Sequence, residues 1–333
     1  MIAIIPVAGV GTNLRPHTYT QPKSLIPIAG KPILGFIIDQ LLEIGIQEFV
    51  FVIGYLGEKV KEYVEKDYPT INRKYVTQEI REGLGHAIWL TKDIVKKKKE
   101  VIIVLGDTII EVDLKEFVAL ESSALGIKRV QDPRKFGVAE FDTHGNITSV
   151  VEKPTIPKSN MALVGLYKIN EFDALIKAIE HNIKNNIRNR QNNEFTLTDG
   201  LQEMLKHGVK LQGFKVDNWY DCGQKEVLLQ TNTLLLKKKK KSAISKKNVE
   251  NCIIREPVHI GKNAVIKNSI IGPNATIGDN ASIYDSIVRD SIIGSYTKLN
   301  DVVLFNSLIG SDSVIWGSSQ SLNIGDNTEL DLR

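Results

Sequence analysis

Cysteine is almost absent from the 333 residues: only Cys222 and Cys252 occur. Their spacing fits neither a disulfide framework nor a metal motif, so a fold stapled by bridges is not expected and a reducing cytoplasm is the simple setting. No apolar stretch approaches the roughly 18–20 residues that a membrane span requires. An excess of one charge is also lacking. Lys and Arg number 43 against 39 Asp and Glu, a net charge of +4. That is too little to argue for nucleic acid, so neither nucleic acid nor membrane is an expected partner. The opening residues 1–9 are apolar but carry no basic n-region and run straight into a glycine loop, which reads as a buried strand and not a signal peptide. Two lysine runs, 96–99 and 237–241, each follow an apolar helical stretch and read as solvated helix ends or linker.

What is present is a globular composition, 42% hydrophobic and 25% charged, in a chain long enough for two domains. Through residue 236, apolar strands alternate with helical stretches. Strands are expected over 2–7, 48–53, 74–78 and 101–105, and helices over 32–44, 59–66 and 86–95. That alternation predicts a parallel sheet covered on both faces. Segments 137–141, 147–152 and 161–168, punctuated by Gly, Asn and Pro, predict antiparallel additions to it. Helices follow over 171–185, 199–207 and 226–236. Residues 237–248 are basic and polar and read as a linker.

Beyond the linker the period changes. Ile260, Ile266, Ile271, Ile277, Ile283, Ile287, Ile293, Leu299, Leu304, Ile309 and Ile315 recur at about six residues, with small slips. Glycine often follows the aliphatic residue. Six residues suit one flat face of a three-sided solenoid, with the aliphatic side chains on the axis and Gly or Asn at corners of positive φ. Residues 249–333 resemble the hexapeptide-repeat left-handed parallel β-helix, with four to five coils expected. Its flanks and open ends suit contact with copies of themselves, so a homo-oligomer is expected.

The first loop reads Val7-Ala8-Gly9-Val10-Gly11-Thr12-Asn13-Leu14-Arg15. Because it follows a strand, its backbone N–H groups can cradle phosphates. Pro22-Lys23-Ser24 comes next, then Gln78 with Gly83-Leu84-Gly85-His86-Ala87, Leu105-Gly106-Asp107, Gly137-Val138, Glu152-Lys153-Pro154, Val164-Gly165, Glu194 and Trp219-Tyr220-Asp221. In that order these segments resemble the sugar-1-phosphate nucleotidylyltransferases over nearly all of 1–236, and 137–167 is especially similar to the glucose-1-phosphate thymidylyltransferases.

The resemblance implies a Rossmann-like nucleotidyltransferase domain with a mixed sheet. It also implies a reaction in which the phosphate of a sugar 1-phosphate attacks the α-phosphorus of dTTP or UTP and releases pyrophosphate. No enzyme nucleophile is needed; two mutually repelling anions must be aligned and their charge neutralised. Mg2+, which favours one or two carboxylates plus phosphate oxygens, is the implied cofactor, and Asp107 and Asp221 are its implied ligands. Lys23, and Arg15 if it reaches in, would hold the reacting phosphates. Ala8, Gly9, Gly11, Thr12, Asn13, Gln78 and Gly83 would bind the nucleotide, and the Gln78 amide matches a pyrimidine edge donor to acceptor and acceptor to donor. Gly137, Glu152, Lys153, Val164, Gly165 and Glu194 would bind the sugar phosphate.

Two departures from the family pattern stand out. Asn13 occupies the place of the loop arginine that grips the triphosphate and cannot make a bidentate phosphate contact, and Ala8 replaces a loop glycine. A weakened, nucleotide-sugar-sensing protein is therefore one alternative. Another is a bifunctional enzyme whose β-helix transfers an acyl group, for which the only β-helix histidine is His259.

Overall fold

The computed structural model describes residues 1–95, 100–239, 248–318, 324–325 and 328. The Lys96–Lys99 run and most of the expected linker lie outside them. The chain divides into two compact units, one of residues 1–27 and 31–231, the other of 28–30 and 232–333.

The first unit is built on a mixed sheet with strand order Ile147–Glu152, Gly137–Phe141, Met161–Ile169, Val101–Val104, Ile2–Pro6, Glu48–Ile53 and Asn72–Thr77. The last four strands are parallel. Ile2 to Ile5 and Val101 to Ile103 are apolar throughout and buried, because helices cover both faces there and neither face needs polar alternation. Met161–Ile169 runs antiparallel to Val101–Val104 and to Gly137–Phe141, as expected from the punctuation. Four strands of four or more residues escaped the sequence reading: Thr108–Glu111, Ser123–Arg129, Leu211–Lys215 and Asn218–Asp221.

The expected helix over 86–95 is two helices, Leu84–Trp89 and Lys92–Val95. Thr91 breaks it. Its hydroxyl donates back to the Ile88 carbonyl at 2.7 Å, and its own carbonyl accepts from Ile94 and Val95 to start the second helix. The helix Leu197–Lys206 is capped by Thr196, whose hydroxyl accepts from the Asp199 N–H at 3.0 Å.

The second unit is a left-handed β-helix of three parallel ladders, with five, four and four strands among the described residues. Register pairs such as Ile266 with Ile283, and Ile283 with Leu299, fix coils of 17 and then 16 residues by subtraction. The axis is filled by Ile266, Ile271, Ile277, Ile283, Ile293 and Leu299. Ile287 is not among them. Val288 pairs with Ile271 and points inward, which turns Ile287 to the outer face.

At the corners the expected Asn takes the positive φ, but Asp stands beside it where glycine was the other expectation. Asn263, Asn268, Asn274, Asn280, Asp285, Asp290 and Asp301 take the positive φ, whereas Gly272 is the only glycine with positive φ among the described residues from 249 onward. Asn side chains pair up the ladder, with Asn251 donating to Asn268 at 2.9 Å and Asn268 to Asp285 at 3.1 Å. Gly261 and Gly278 serve close approach instead. A Cβ at either would fall 2.5 Å from the backbone nitrogen of the next coil, Asp279 or Ser295.

Candidate active site

Two cavities open along the C-terminal ends of the parallel strands. The larger, of about 520 Å³, is lined by Val7 to Thr12, Lys23, Ser24, Gln78, Arg81, Gly83, Leu105 to Asp107 and Glu194. The second, of about 270 Å³, is lined by Asp107, Gly137, Glu152, Lys153, Val164, Gly165, Glu194, Thr198, Trp219 and Asp221, with others. Asp107 and Glu194 belong to both.

The glycine loop enters the first cavity because the strand Ile2–Pro6 ends there. Gly11 has φ +68°, and a Cβ on it would lie 3.0 Å from both Lys23 Cβ and Thr18 Cγ2. Buried Thr18 ties the loop down, donating its hydroxyl to the Gly11 carbonyl at 2.8 Å. The Ser24 hydroxyl in the cavity wall is buried and has no hydrogen-bond partner among the described residues.

Where the cavities meet, Lys23 Nζ is hydrogen-bonded to Asp107 Oδ2 and stands 3.6 Å from Asp221 Oδ1. A two-stranded ribbon makes this meeting: Asn218–Asp221 pairs antiparallel with Thr108–Glu111, and Asp221 faces Thr108. The Gly223 N–H donates to Asp221 Oδ1 at 3.1 Å. Burial pulls the Lys23 ammonium down, but the two carboxylates outweigh it and hold the pKa above the usual lysine value. Burial raises the Asp221 carboxyl, Asp107 adds to the rise and Lys23 opposes it. Two carboxylates converging on one cation are the donor set that Mg2+ takes when phosphates complete its shell, so the pair fits that metal. Among the described residues there is no cluster of three or more His, Cys, Asp or Glu that could hold a metal by itself.

In the second cavity Glu152 accepts from the Thr198 hydroxyl at 2.6 Å. Burial raises its pKa, with Thr198 and Lys153 pulling the other way. Lys153 has φ +44°, and its N–H donates to the Phe136 carbonyl at 3.0 Å. Gly137 leaves room beside this carboxylate, since a Cβ there would lie 3.2 Å from Glu152 Oε2. The buried Trp219 Nε1 has no partner among the described residues.

The sequence-derived site residues therefore gather at the two cavities, with two exceptions. Asn13 and Arg15 are exposed and line neither. The Arg15 guanidinium sits 4.9 Å from the centre of the Tyr19 ring. Sequence reasoning missed Arg81, and it placed Ser24, Thr198 and Trp219 inside matching motifs without giving them a role. Arg81 stands in an unpatterned polar stretch, and only its proximity to Gly83 hinted at the cavity. His259 lies in the second unit, its ring packed against Gly30, and burial lowers its pKa.

Two cavities that share Asp107 as a wall suit an enzyme that brings two phosphorylated ligands together, as nucleotidyltransferases do. The chain belongs to that family: the Nucleotidyl transferase profile matches residues 2–238. Across its whole length it is 30% identical to the Haloferax volcanii low-salt glycan biosynthesis nucleotidyltransferase Agl11, covering all of both chains. It is 34% identical to the bifunctional protein GlmU of Methanocaldococcus jannaschii, over 98% of this chain and 80% of that one. Among solved structures, UDP-glucose pyrophosphorylase complexed with UDP-glucose superposes with a TM-score of 0.63 at 25% identity, over 72% of this chain and 99% of the other. No described helix is long and apolar enough to cross a membrane.

Proposed function

We propose that this enzyme joins dTTP or UTP to a sugar 1-phosphate, glucose 1-phosphate first among candidates, and releases pyrophosphate. The convergence of Asp107 and Asp221 on Lys23 at the junction of the two cavities carries this reading. The triphosphate occupies the larger cavity, with the loop N–H groups of Ala8 to Thr12 on its phosphates. Gln78 and Gly83 meet the base. The sugar phosphate occupies the smaller cavity, where Glu152, Glu194 and the Gly137, Val164 and Gly165 backbone receive the sugar and Lys153 its phosphate. Asp107 and Asp221 would hold Mg2+, which would supply charge neutralisation at the reacting phosphates. Lys23 then turns its ammonium to the phosphates, and the attacking oxygen is set in line with the α-phosphorus by position alone. Arg81, lining the same cavity, supplies the guanidinium that Asn13 lacks, and this favours an active enzyme over a weakened sensor.

Transfer chemistry resides in residues 1–236, with 237–248 a basic linker, although the helix Lys225–Lys238 already contains its first two residues. The β-helix over 249–333 joins identical chains. Ile253, Ile270, Ile287 and Val303 stack in register on the outside of one ladder, and the two end members are exposed. The free thiols of Cys222 and Cys252 suit the cytoplasm. The test is pyrophosphate release with a panel of triphosphates and sugar 1-phosphates in Mg2+, together with mass by light scattering. Silence across the panel despite nucleotide binding would overturn the reaction, and a monomeric mass would overturn the assembly.

A further inference from the structure

Gln78 is 5% exposed in the wall of the larger cavity. Its Nε2 lies 3.0 Å from the Gly83 carbonyl oxygen and 3.2 Å from His86 Nδ1. A carbonyl oxygen only accepts, so the amide nitrogen must face Gly83, and the flipped amide would set two acceptors against each other. The second Nε2 proton points at His86 Nδ1, which must then carry the lone pair. The ring proton belongs on His86 Nε2, 3.8 Å from Glu82 Oε2. Glu82 is itself held by Arg188 Nη2 at 2.6 Å, and the Arg188 guanidinium lies 4.0 Å from the Phe195 ring centre. The His86 ring stacks on Trp89 at 5.9 Å. Burial holds the ring below its ordinary pKa, Arg188 acts the same way, and Glu82 and the Ile80 carbonyl oppose them. A neutral ring is thus favoured by its surroundings, and this tautomer by its partner Gln78.

Both donors of the Gln78 amide are consumed inside the protein. Its Oε1 accepts no hydrogen bond among the described residues and is not among the buried orphan atoms. The two-point match to a pyrimidine expected from sequence is therefore reduced to one point.

We propose that His86 is a positioning residue for base selection: by accepting from Gln78 Nε2 it leaves Oε1 as the only group of that amide open to a nucleobase. In the pose that sets the base N3 against Oε1, the cavity takes uracil or thymine, whose N3–H donates, over cytosine, whose N3 opposes a second lone pair there and which reaches Oε1 only by shifting to offer its 4-amino group. Glu82 and Arg188 act one step further back by holding the imidazole tautomer. This inference rests on the nucleotide cavity assigned above.

The test uses the full chain and two variants. His86→Leu removes the acceptor, whereas His86→Asn restores one where Nδ1 stood. Binding of UTP, dTTP and CTP is measured by calorimetry in Mg2+ without sugar phosphate, and KM and kcat for each are measured with glucose 1-phosphate. Wild type is expected to prefer UTP or dTTP over CTP. His86→Leu should lose roughly tenfold or more of that preference, mostly through a higher KM for UTP, with kcat changed only a few-fold. His86→Asn should recover it. Equal binding of UTP and CTP by wild type overturns the inference even where turnover is found. So does a His86→Leu protein that melts normally and still discriminates. A wild type that turns over nothing yet binds UTP over CTP overturns the proposed reaction and leaves the role of His86 standing.

Discussion

The backbone N–H of Cys222 donates to the carbonyl oxygen of Asp107 at 3.1 Å. This bond extends the ribbon that pairs Asp221 with Thr108 and so brings Asp221 beside Asp107, with Lys23 between them. Two like charges are held together here by main-chain hydrogen bonds, not by their own attraction.

Asp107→Asn and Asp221→Asn should each lower pyrophosphate release by about 10²–10³-fold, the range for removing one preorganised electrostatic partner of a transition state. Burial raises the Asp221 carboxyl, so its ionised form is disfavoured in the fold at neutral pH. The Asp221→Asn protein should therefore melt at or above the wild-type temperature. Steady-state rates at saturating Mg2+ and a calorimetric melt check both points, and rates within a few-fold of wild type would remove the carboxylate pair from the chemistry.

Arg81 and Asn13 make opposite predictions. Arg81→Ala should raise KM for the triphosphate about tenfold or more, the scale of one lost charge-assisted hydrogen bond. Asn13→Arg adds a guanidinium to an exposed loop position and should lower that KM or leave it alone. If Arg81→Ala is silent and Asn13→Arg raises kcat by orders of magnitude, the natural protein is an attenuated one.

Gly83 has φ +107°, and a Cβ there would lie 2.6 Å from the Phe195 carbonyl oxygen. Gly83→Ala should cost about 1–3 kcal/mol of stability through strain and overlap. Because the Gly83 carbonyl orients Gln78, UTP affinity should fall as well. Denaturant titration and calorimetry read the two effects separately, and unchanged stability would mean that the turn relaxes without cost.

Cys222 provides a pH signature. Burial pushes its thiol up to about 12 from an ordinary value of 9.0. A group with a raised folded pKa contributes stability that is complete below the unfolded pKa and is lost as pH rises through the folded one. The wild type should therefore weaken from about pH 9 upward. Lys23, also raised, loses its share at still higher pH in any variant that keeps it. Urea midpoints from about pH 8 to about pH 10.5 should fall more steeply for wild type than for Cys222→Ala. Parallel curves would show that the thiol ionises equally in both states.

Much was legible in the sequence because it depends on local repetition or contiguous motifs. The parallel strands appear as apolar runs since both faces are buried. The β-helix appears as a six-residue beat since each coil repeats the same side-chain environment. Lys23, Gln78, Glu152 and Lys153 sit in short segments whose order survives folding. Smaller matters were less legible. The inward role of Val288 in place of Ile287 and the use of Asp rather than Gly beside Asn at the corners depend on register between coils, which a one-residue slip inverts.

Composition and periodicity by themselves determined two architectures in one chain, because burial on both faces and a repeating axis impose residue patterns that no partner segment has to supply. Only the tertiary structure decided that the four-residue strands Thr108–Glu111 and Asn218–Asp221 pair, that Arg81 faces a cavity while Arg15 lies on Tyr19, and that His86 takes one donor from Gln78. Each of these depends on hydrogen bonds or contacts between segments far apart in the chain or on the direction in which a single side chain leaves the backbone, and neither leaves a period in the sequence.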